Sequence, residues 1–362
     1  MECSQNAPRG LLPDHSALQH ERAPRPLPLF LELVRQLSTR DPDLARDALA
    51  GLRAYAAAPR PDAPPPPPEI ARVRGACLRD HGGAGPPAVL IPSLINPPRI
   101  LDLDPDVSLA AAVARMGRRS LLLDWGLARD RADLDVAGHV EHVLVPLLRE
   151  LGQPPALVGY CLGGTMALAA ANLIACERVA TLATPWNFAT YPDRSLEAIR
   201  DTWTHARAAA ADLGALPMEV LQANFWSLDP QRTVAKFAEF GHLDPASPSA
   251  ARFVELEDWA NGGEPLPFPA ARELMEDIFG RDLPGKGEWL VGGVAVTDDL
   301  PIPRLHLLAA SDRIAPPATA AAGRTIAIAS GHVGMVVGSA RKKLHAELAG
   351  FLDSLAAGSA GR

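Results

Sequence analysis

Residues 157–171 read LVGYCLGGTMALAAA. An apolar run enters Gly159-Tyr160-Cys161-Leu162-Gly163-Gly164, and an alanine-rich run of helical character leaves it. A strand that turns sharply into a helix brings the chain close to itself two positions either side of the turn, where only small residues fit. Gly159 and Gly163 supply those positions, and Gly164 adds room. The residue at the bend is Cys161, so the stretch predicts a thiol nucleophile on a strained elbow. The Leu162 N–H, in the first turn of the helix that follows, then points at a reacting oxygen. The competing reading is a small structural cysteine between strand and helix, since free cysteine is often buried.

Working outward, short and continuously apolar runs recur at PAVLIPSLI (87–95), SLLLDWG (120–126), PALVGYC (155–161), VATLATPW (179–186), RLHLLAASD (304–312) and TIAIAS (325–330). Helical patterns sit between several of them, at SLAAAVARMG from Ser108 and VAGHVEHVLVPLLRELG from Val136. Short apolar strands alternating with helices indicate an α/β chain, a mostly parallel sheet covered by helices on both faces. The alternation stops after Trp186 and resumes near Leu300, which predicts an inserted cap over 191–299. The core is then expected over 73–190 and 300–362. Residues 1–26 are polar and proline-bearing, and are expected to be disordered. A helical segment follows, broken and capped at Ser38-Thr39-Arg40-Asp41, and PRPDAPPPPPEI (59–70) reads as a stiff linker closing the stretch 27–72.

A thiol nucleophile needs a base and a group that orients the base. On an elbow of this kind the acid and then the histidine follow the nucleophile in chain order, each at the end of a late strand. Asp312 ends RLHLLAASD, and His332 follows the next strand in the loop SGHVG. Asp312 has a second reading as a helix cap before RIAPP, and His332 as a surface loop histidine. The second oxyanion donor is expected after PAVLIPSLI, from the N–H groups of Leu94 and Ile95. Asn96 either supports the site or merely closes a turn before Pro97. His139 and His142 lack the spacing and third ligand of a zinc site, so no metal is assigned. Asp298 and Asp299 read as a turn rather than a catalytic pair.

Composition narrows the function classes. The chain has 362 residues, 48% of them hydrophobic, and a net charge of −7. That balance argues against a general nucleic-acid binder. Neither a signal-peptide pattern nor an apolar run of membrane-spanning length is present in the sequence, which argues against secretion and membrane spanning. The four cysteines, Cys3, Cys77, Cys161 and Cys176, lie far apart and suit neither a disulfide framework nor a metal site, so a reducing cytoplasm is expected.

Four stretches, PSLINPPRILDLDPDVSL, LLLDWG, GYCLGGT and SGHVGMVVG, with AASDRIAPP before the last, resemble the polyhydroxyalkanoate synthase family in the same order. The likeness covers about residues 86–190 and 300–345 and is weaker across the cap. It implies an α/β-hydrolase fold with Cys161 as nucleophile, His332 as the base that activates it and Asp312 as its partner. It implies polymerisation of (R)-3-hydroxyacyl-CoA thioesters with release of CoA, the thioester being substrate and no cofactor being needed. The partners it implies are the hydroxyacyl-CoA, the polyester chain and its granule surface, with a second synthase subunit or a homodimer through the cap. The location is then the cytoplasm, at polyester granules. Arg313 stands where many members carry histidine, and the chain has the length of members that require a second subunit. A cysteine-dependent hydrolase, thioesterase or polymer depolymerase, and a non-catalytic granule-associated homologue, remain as alternative readings.

Overall fold

The computed structural model describes residues 23–62 and 64–353. Most of the expected disordered N-terminus, residues 1–22, lies outside them, as do 354–362. By internal packing the chain divides into a larger unit, Asp62–Pro230 with Glu255–Arg362, and a smaller one formed by the chain up to Pro61 with Gln231–Val254.

The larger unit is built on eight strands: β1 (Glu69–Val73), β2 (Ala76–Asp80), β3 (Pro87–Ile91), β4 (Arg119–Asp124), β5 (Ala156–Tyr160), β6 (Arg178–Leu182), β7 (Arg304–Ala309) and β8 (Thr325–Ile328). Their order across the sheet is β1-β2-β4-β3-β5-β6-β7-β8. β2 runs antiparallel to both neighbours, and every other pair from β4 onward is parallel. This is the α/β-hydrolase fold, in the class expected from the alternating apolar runs. Every residue of β3, β5 and β6 is buried, which is why those strands read as unbroken apolar runs. The register pairs Ile91 with Gly159, Gly159 with Thr181 and Thr181 with His306, so the carboxyl ends of β3, β5, β6 and β7 lie side by side. Open parallel sheets bind ligands outside those ends.

The sheet begins earlier than the expected boundary at residue 73. The linker ends at Pro68, and β1 with β2 forms a hairpin whose edge strand carries no apolar run. Its two charged residues, Glu69 and Arg72, pair at the surface. The two-residue turn at Arg74-Gly75, both at positive φ (48° and 81°), is the local signal that reveals it.

Between β6 and β7 the chain is mostly helical, with two short ladders that pair Ala215–Leu216 with Leu266–Pro267 and Leu290–Val291 with Val294–Ala295. Of the helices, numbered as they are introduced, α1 (Leu27–Ser38) and α2 (Pro42–Ala57) come before the sheet in the chain. Within the core come α3 (Leu109–Arg115), α4 (Val136–His139), α5 (Val145–Arg149) and α6 (Leu162–Ala171). α7 (Asp193–Leu213), α8 (Met218–Ser227), α9 (Pro230–Gly241) and α10 (Pro248–Asn261) belong to the insertion, followed by a π-helical turn at Glu273–Phe279. The expected cap over 191–299 does not pack as one body, because Gln231–Val254 group with the N-terminal helices. No described helix is long and apolar enough to cross a membrane.

The smaller unit is held by aromatic packing. α2 starts where the sequence places a break, with the Asp41 carboxylate accepting the Leu44 N–H at 2.9 Å. Phe237 is fully buried and meets the rings of Phe30 (4.8 Å), Phe253 (5.3 Å) and Tyr55 (5.7 Å) edge-on. α2 closes on it because Gly51 has no Cβ, an atom that would lie 1.8 Å from the Phe237 carbonyl oxygen. Phe237→Ala is therefore expected to lower the stability of this unit by about 3–5 kcal/mol, read as faster hydrogen exchange at the α1 and α2 amides. A loss below about 1 kcal/mol would show that the cluster does not hold the unit.

Candidate active site

Cys161 sits at the bend between β5 and α6 with φ 56° and ψ −132°, a conformation that side-chain-bearing residues rarely adopt. Three glycines make the bend feasible. A Cβ on Gly159 would lie 2.3 Å from the Gly164 Cα, one on Gly163 2.1 Å from the Ile91 carbonyl oxygen, and one on Gly164 1.9 Å from Thr184 Oγ1. The Cys161 N–H donates to the Leu182 carbonyl at 2.9 Å, tying the bend to β6. α6 begins at Leu162, so the Leu162 N–H is one of the first-turn donors that a helix leaves without an internal acceptor.

The structure brings Asp312 and His332 to this bend. His332 Nδ1–H donates to Asp312 Oδ2 at 2.6 Å, and Cys161 lies near enough to act on the charge of the imidazole. Asp312 is buried, and its other oxygen accepts the N–H groups of Ile314 (2.8 Å) and Ala315 (3.0 Å). One oxygen of the Asp312 carboxylate thus closes the turn that follows it and the other meets the imidazole; no helix starts there, the next helical turn being Pro317–Thr319. His332 is only 9% exposed, which removes the surface-loop reading. Burial alone pushes its pKa down, but the charges of Cys161 and Asp312, with the hydrogen bond to Asp312, outweigh that and raise it to about 10.

Tyr160, adjacent to the nucleophile position and passed over in the sequence, lays its ring against His332 with centroids 5.0 Å apart. Its hydroxyl donates to the His332 carbonyl at 3.4 Å. Burial holds the phenol protonated, the nearby negative charges adding to the effect. Two other cysteines are buried: burial raises Cys77 and takes Cys176 to about 11, which leaves them poor nucleophiles. Cys161 is half-buried and opens to a cavity.

The loop after β3 is pinned at both ends by indoles. Trp125 Nε1–H donates to the Pro92 carbonyl at 3.1 Å, and Trp259 Nε1–H to the Pro97 carbonyl at 2.9 Å. Trp125 belongs to LLLDWG, whereas Trp259 comes from α10 and carried no local signal. Of the residues expected on this loop, Ile95 faces the cavity, with its N–H given to Ser93 Oγ at 3.2 Å. Leu94 is buried in the core, and Asn96 is half-buried outside the cavity lining.

His139 is a buried core histidine. Its Nδ1–H donates to the Asp135 carbonyl at 2.6 Å, its Nε2 accepts from Arg131 at 2.7 Å, and burial lowers its pKa to about 4. Asp298 accepts the Ala322 N–H and Asp299 pairs with Arg304, as a turn would.

The cavity holds about 120 Å3 beside Cys161 and Leu162. Its walls are largely apolar, and Arg313 is the one charged residue among those that line it. Arg313 is not directed at His332; it donates to the Leu228 carbonyl (3.1 Å) and to Asp229 (2.8 Å) beyond α8. Next to it, the Tyr191 hydroxyl donates to the Ile314 carbonyl at 2.8 Å. The loop carrying Asp312 is therefore tied twice to the start of the insertion.

No family model matches the chain. Among curated proteins it is similar to the poly(3-hydroxyalkanoate) polymerase subunit PhaC of Haloferax mediterranei, 27% identical over 273 residues, which cover 70% of this chain and 55% of that protein. It is also similar to the PhaC subunit of Allochromatium vinosum, 26% identical over 291 residues, 74% of this chain and 80% of that protein. The match thus spans about half the length of the Haloferax relative. Among solved structures it is similar to epoxide hydrolase A from Mycobacterium thermoresistibile, with 17% identity and a TM-score of 0.49, covering 79% of this chain and 98% of that one.

Two outcomes are expected from this geometry. A pKa raised above the ordinary imidazole value of 6.5 means that the His332 charge stabilises the fold. That contribution is full below pH 6.5 and is lost as the pH climbs through about 10. The stability gap between the parent and His332→Gln should accordingly shrink between pH 6 and pH 10 in urea unfolding; a gap that ignores pH would mean a neutral ring. Gly163→Ala should cost about 2 kcal/mol or more, since its Cβ meets backbone rather than a movable side chain. Parental stability and Cys161 reactivity in that variant would show that the elbow has slack.

Proposed function

We propose that this chain, a divergent relative of the poly(3-hydroxyalkanoate) polymerase subunits, is an acyltransferase that draws 3-hydroxyacyl groups from CoA thioesters and joins them into polyester. The observation that carries this reading is a thiol held between a buried imidazole–carboxylate pair and an apolar cavity. In the proposed reaction the Cys161 thiolate attacks the thioester carbonyl. The new carbon–sulfur bond to Cys161 forms as the bond to CoA breaks, and the departing CoA sulfur takes a proton from His332. On this reading the Leu162 N–H, in the first turn of α6, holds the oxyanion of that step. The 3-hydroxyl of the next monomer, or of the growing chain, then gives up its proton to His332 and attacks the acyl-cysteine. Asp312 keeps the imidazole in the tautomer and orientation both steps need.

Sulfur suits such a transfer. Exchange of one thioester for another keeps the acyl group activated, whereas a serine ester would sit lower and lose the driving force for transfer to an alcohol. Ester formation also requires that water be kept out, a role the apolar walls of the cavity support. On this reading the CoA thioester is substrate, and the partners are the polyester chain and a second synthase subunit or a second copy of this chain meeting it through the insertion. The place of action is the cytoplasm, at the granule surface.

Incubation with (R)-3-hydroxybutyryl-CoA, with and without a partner subunit, tests the reading through CoA release and the acyl product. Oligomer or polymer is expected, and Cys161→Ala should abolish CoA release. Free hydroxy acid as sole product would make the chain a thioesterase, and CoA release by Cys161→Ala at the parental rate would remove Cys161 from the chemistry.

A further inference from the structure

The walls of the cavity beside Cys161 are contributed by three parts of the insertion. α7 brings Ile199, α8 brings Leu221 and Phe225, and the π-helical turn Glu273–Phe279 brings Leu274, Met275 and Phe279. The wider π turn places residues five apart on one side, so Leu274 and Phe279 face the same space. This wall is anchored rather than loose. Glu273 is buried and accepts the Ala137 N–H at 2.9 Å and the Trp289 indole N–H at 2.7 Å.

The polar groups of the lining are few and partly engaged. Asn224 Oδ1 accepts the Thr202 hydroxyl, and the Ser227 hydroxyl donates to the Asn224 carbonyl. An amide-bearing arm such as pantetheine would leave its N–H and C=O groups short of partners against such a surface. A hydrocarbon chain would not. A dry cavity of ~150 Å3 takes a six-carbon ring, and in that proportion the 120 Å3 here has room for about five carbons.

We propose that this cavity is an alkyl pocket that selects acyl groups of medium length, with Met275 and Ile199 setting its depth. The inference rests on the acyltransfer reading for the identity of the substrate. With carbons one to three of the acyl group at Cys161, five further carbons correspond to a 3-hydroxyoctanoyl chain. Met275 is the adaptable part of the wall, since its unbranched thioether side chain reshapes more easily than a branched or aromatic one.

The pocket can be probed without turnover by alkyl methanethiosulfonates. The Cys161 thiolate forms a disulfide with the reagent's alkylthio group while the bond to the sulfonyl sulfur breaks and methanesulfinate leaves. The rate at Cys161, followed by peptide mass and divided by the rate of the same reagent with free cysteine, is expected to rise roughly two- to fourfold per methylene. The rise should extend from methyl to about heptyl, the sulfur and first two carbons standing where acyl carbons one to three would, and then level off. Met275→Trp, and independently Ile199→Phe on a half-exposed helix position, should flatten the series. A series already flat in the parent, or one that neither variant changes, would overturn the pocket. In a second arm, acylation of Cys161 by 3-hydroxyoctanoyl-CoA should outpace that by 3-hydroxybutyryl-CoA at least tenfold. A rising reagent series with no acylation by any CoA thioester would leave the pocket standing and remove the acyltransfer reading instead.

Discussion

The contact on which the rest of the site depends is the one between β5 and α6 that three absent Cβ atoms permit. Gly159 lets the end of β5 touch Gly164, Gly163 lets α6 touch the carbonyls of Ile91 and Pro92 at the end of β3, and Gly164 leaves space for Thr184 beyond β6. One bend is thereby wedged among three strand ends at once. This explains how Cys161 is kept at φ 56°, since each competing conformation would have to break packing on several sides. It also fixes where the N–H of Leu162 points relative to the loop after β3.

Around that bend the polar groups are satisfied in sequence. Asp312 receives hydrogen bonds from two backbone N–H groups and from His332, whose ring lies within electrostatic reach of Cys161. A buried network whose members all have partners stays in one arrangement, because any rotation leaves a polar atom unpaired in apolar surroundings. Tyr160 closes the network on one side, so the ring orientation of His332 is set by packing as well as by hydrogen bonding.

What was legible in the sequence follows from how local each feature is. The elbow could be read because the glycines that permit it lie within five residues of one another, and β3, β5 and β6 could be read because parallel strands buried along their whole length are mostly apolar. Asp312 and His332 followed from chain order on such a sheet. The β1–β2 hairpin escaped because an edge strand carries charge and its signal is a two-residue turn. Pairing across long separations left no trace. Nothing near Phe30 or Tyr55 announces Phe237, nothing in α10 announces that Trp259 holds the Pro97 carbonyl, and Arg313 does not announce Asp229. The loop residues fared unevenly for the same reason: Ile95 faces the cavity, but which N–H groups remain available depends on Ser93, Trp125 and Trp259 together.

The two ties from the Asp312 loop, Tyr191 to Ile314 and Arg313 to Asp229, join a catalytic-type loop of the sheet to the first part of the insertion. In many layered enzymes a lid is a cassette that can be exchanged while the chemistry beneath it stays intact. Here residues 191–229 and the loop carrying Asp312 are joined by these hydrogen bonds, so the two do not drift independently. A descendant that remodels residues 191–229 must keep these anchors or re-seat Asp312 at the same time.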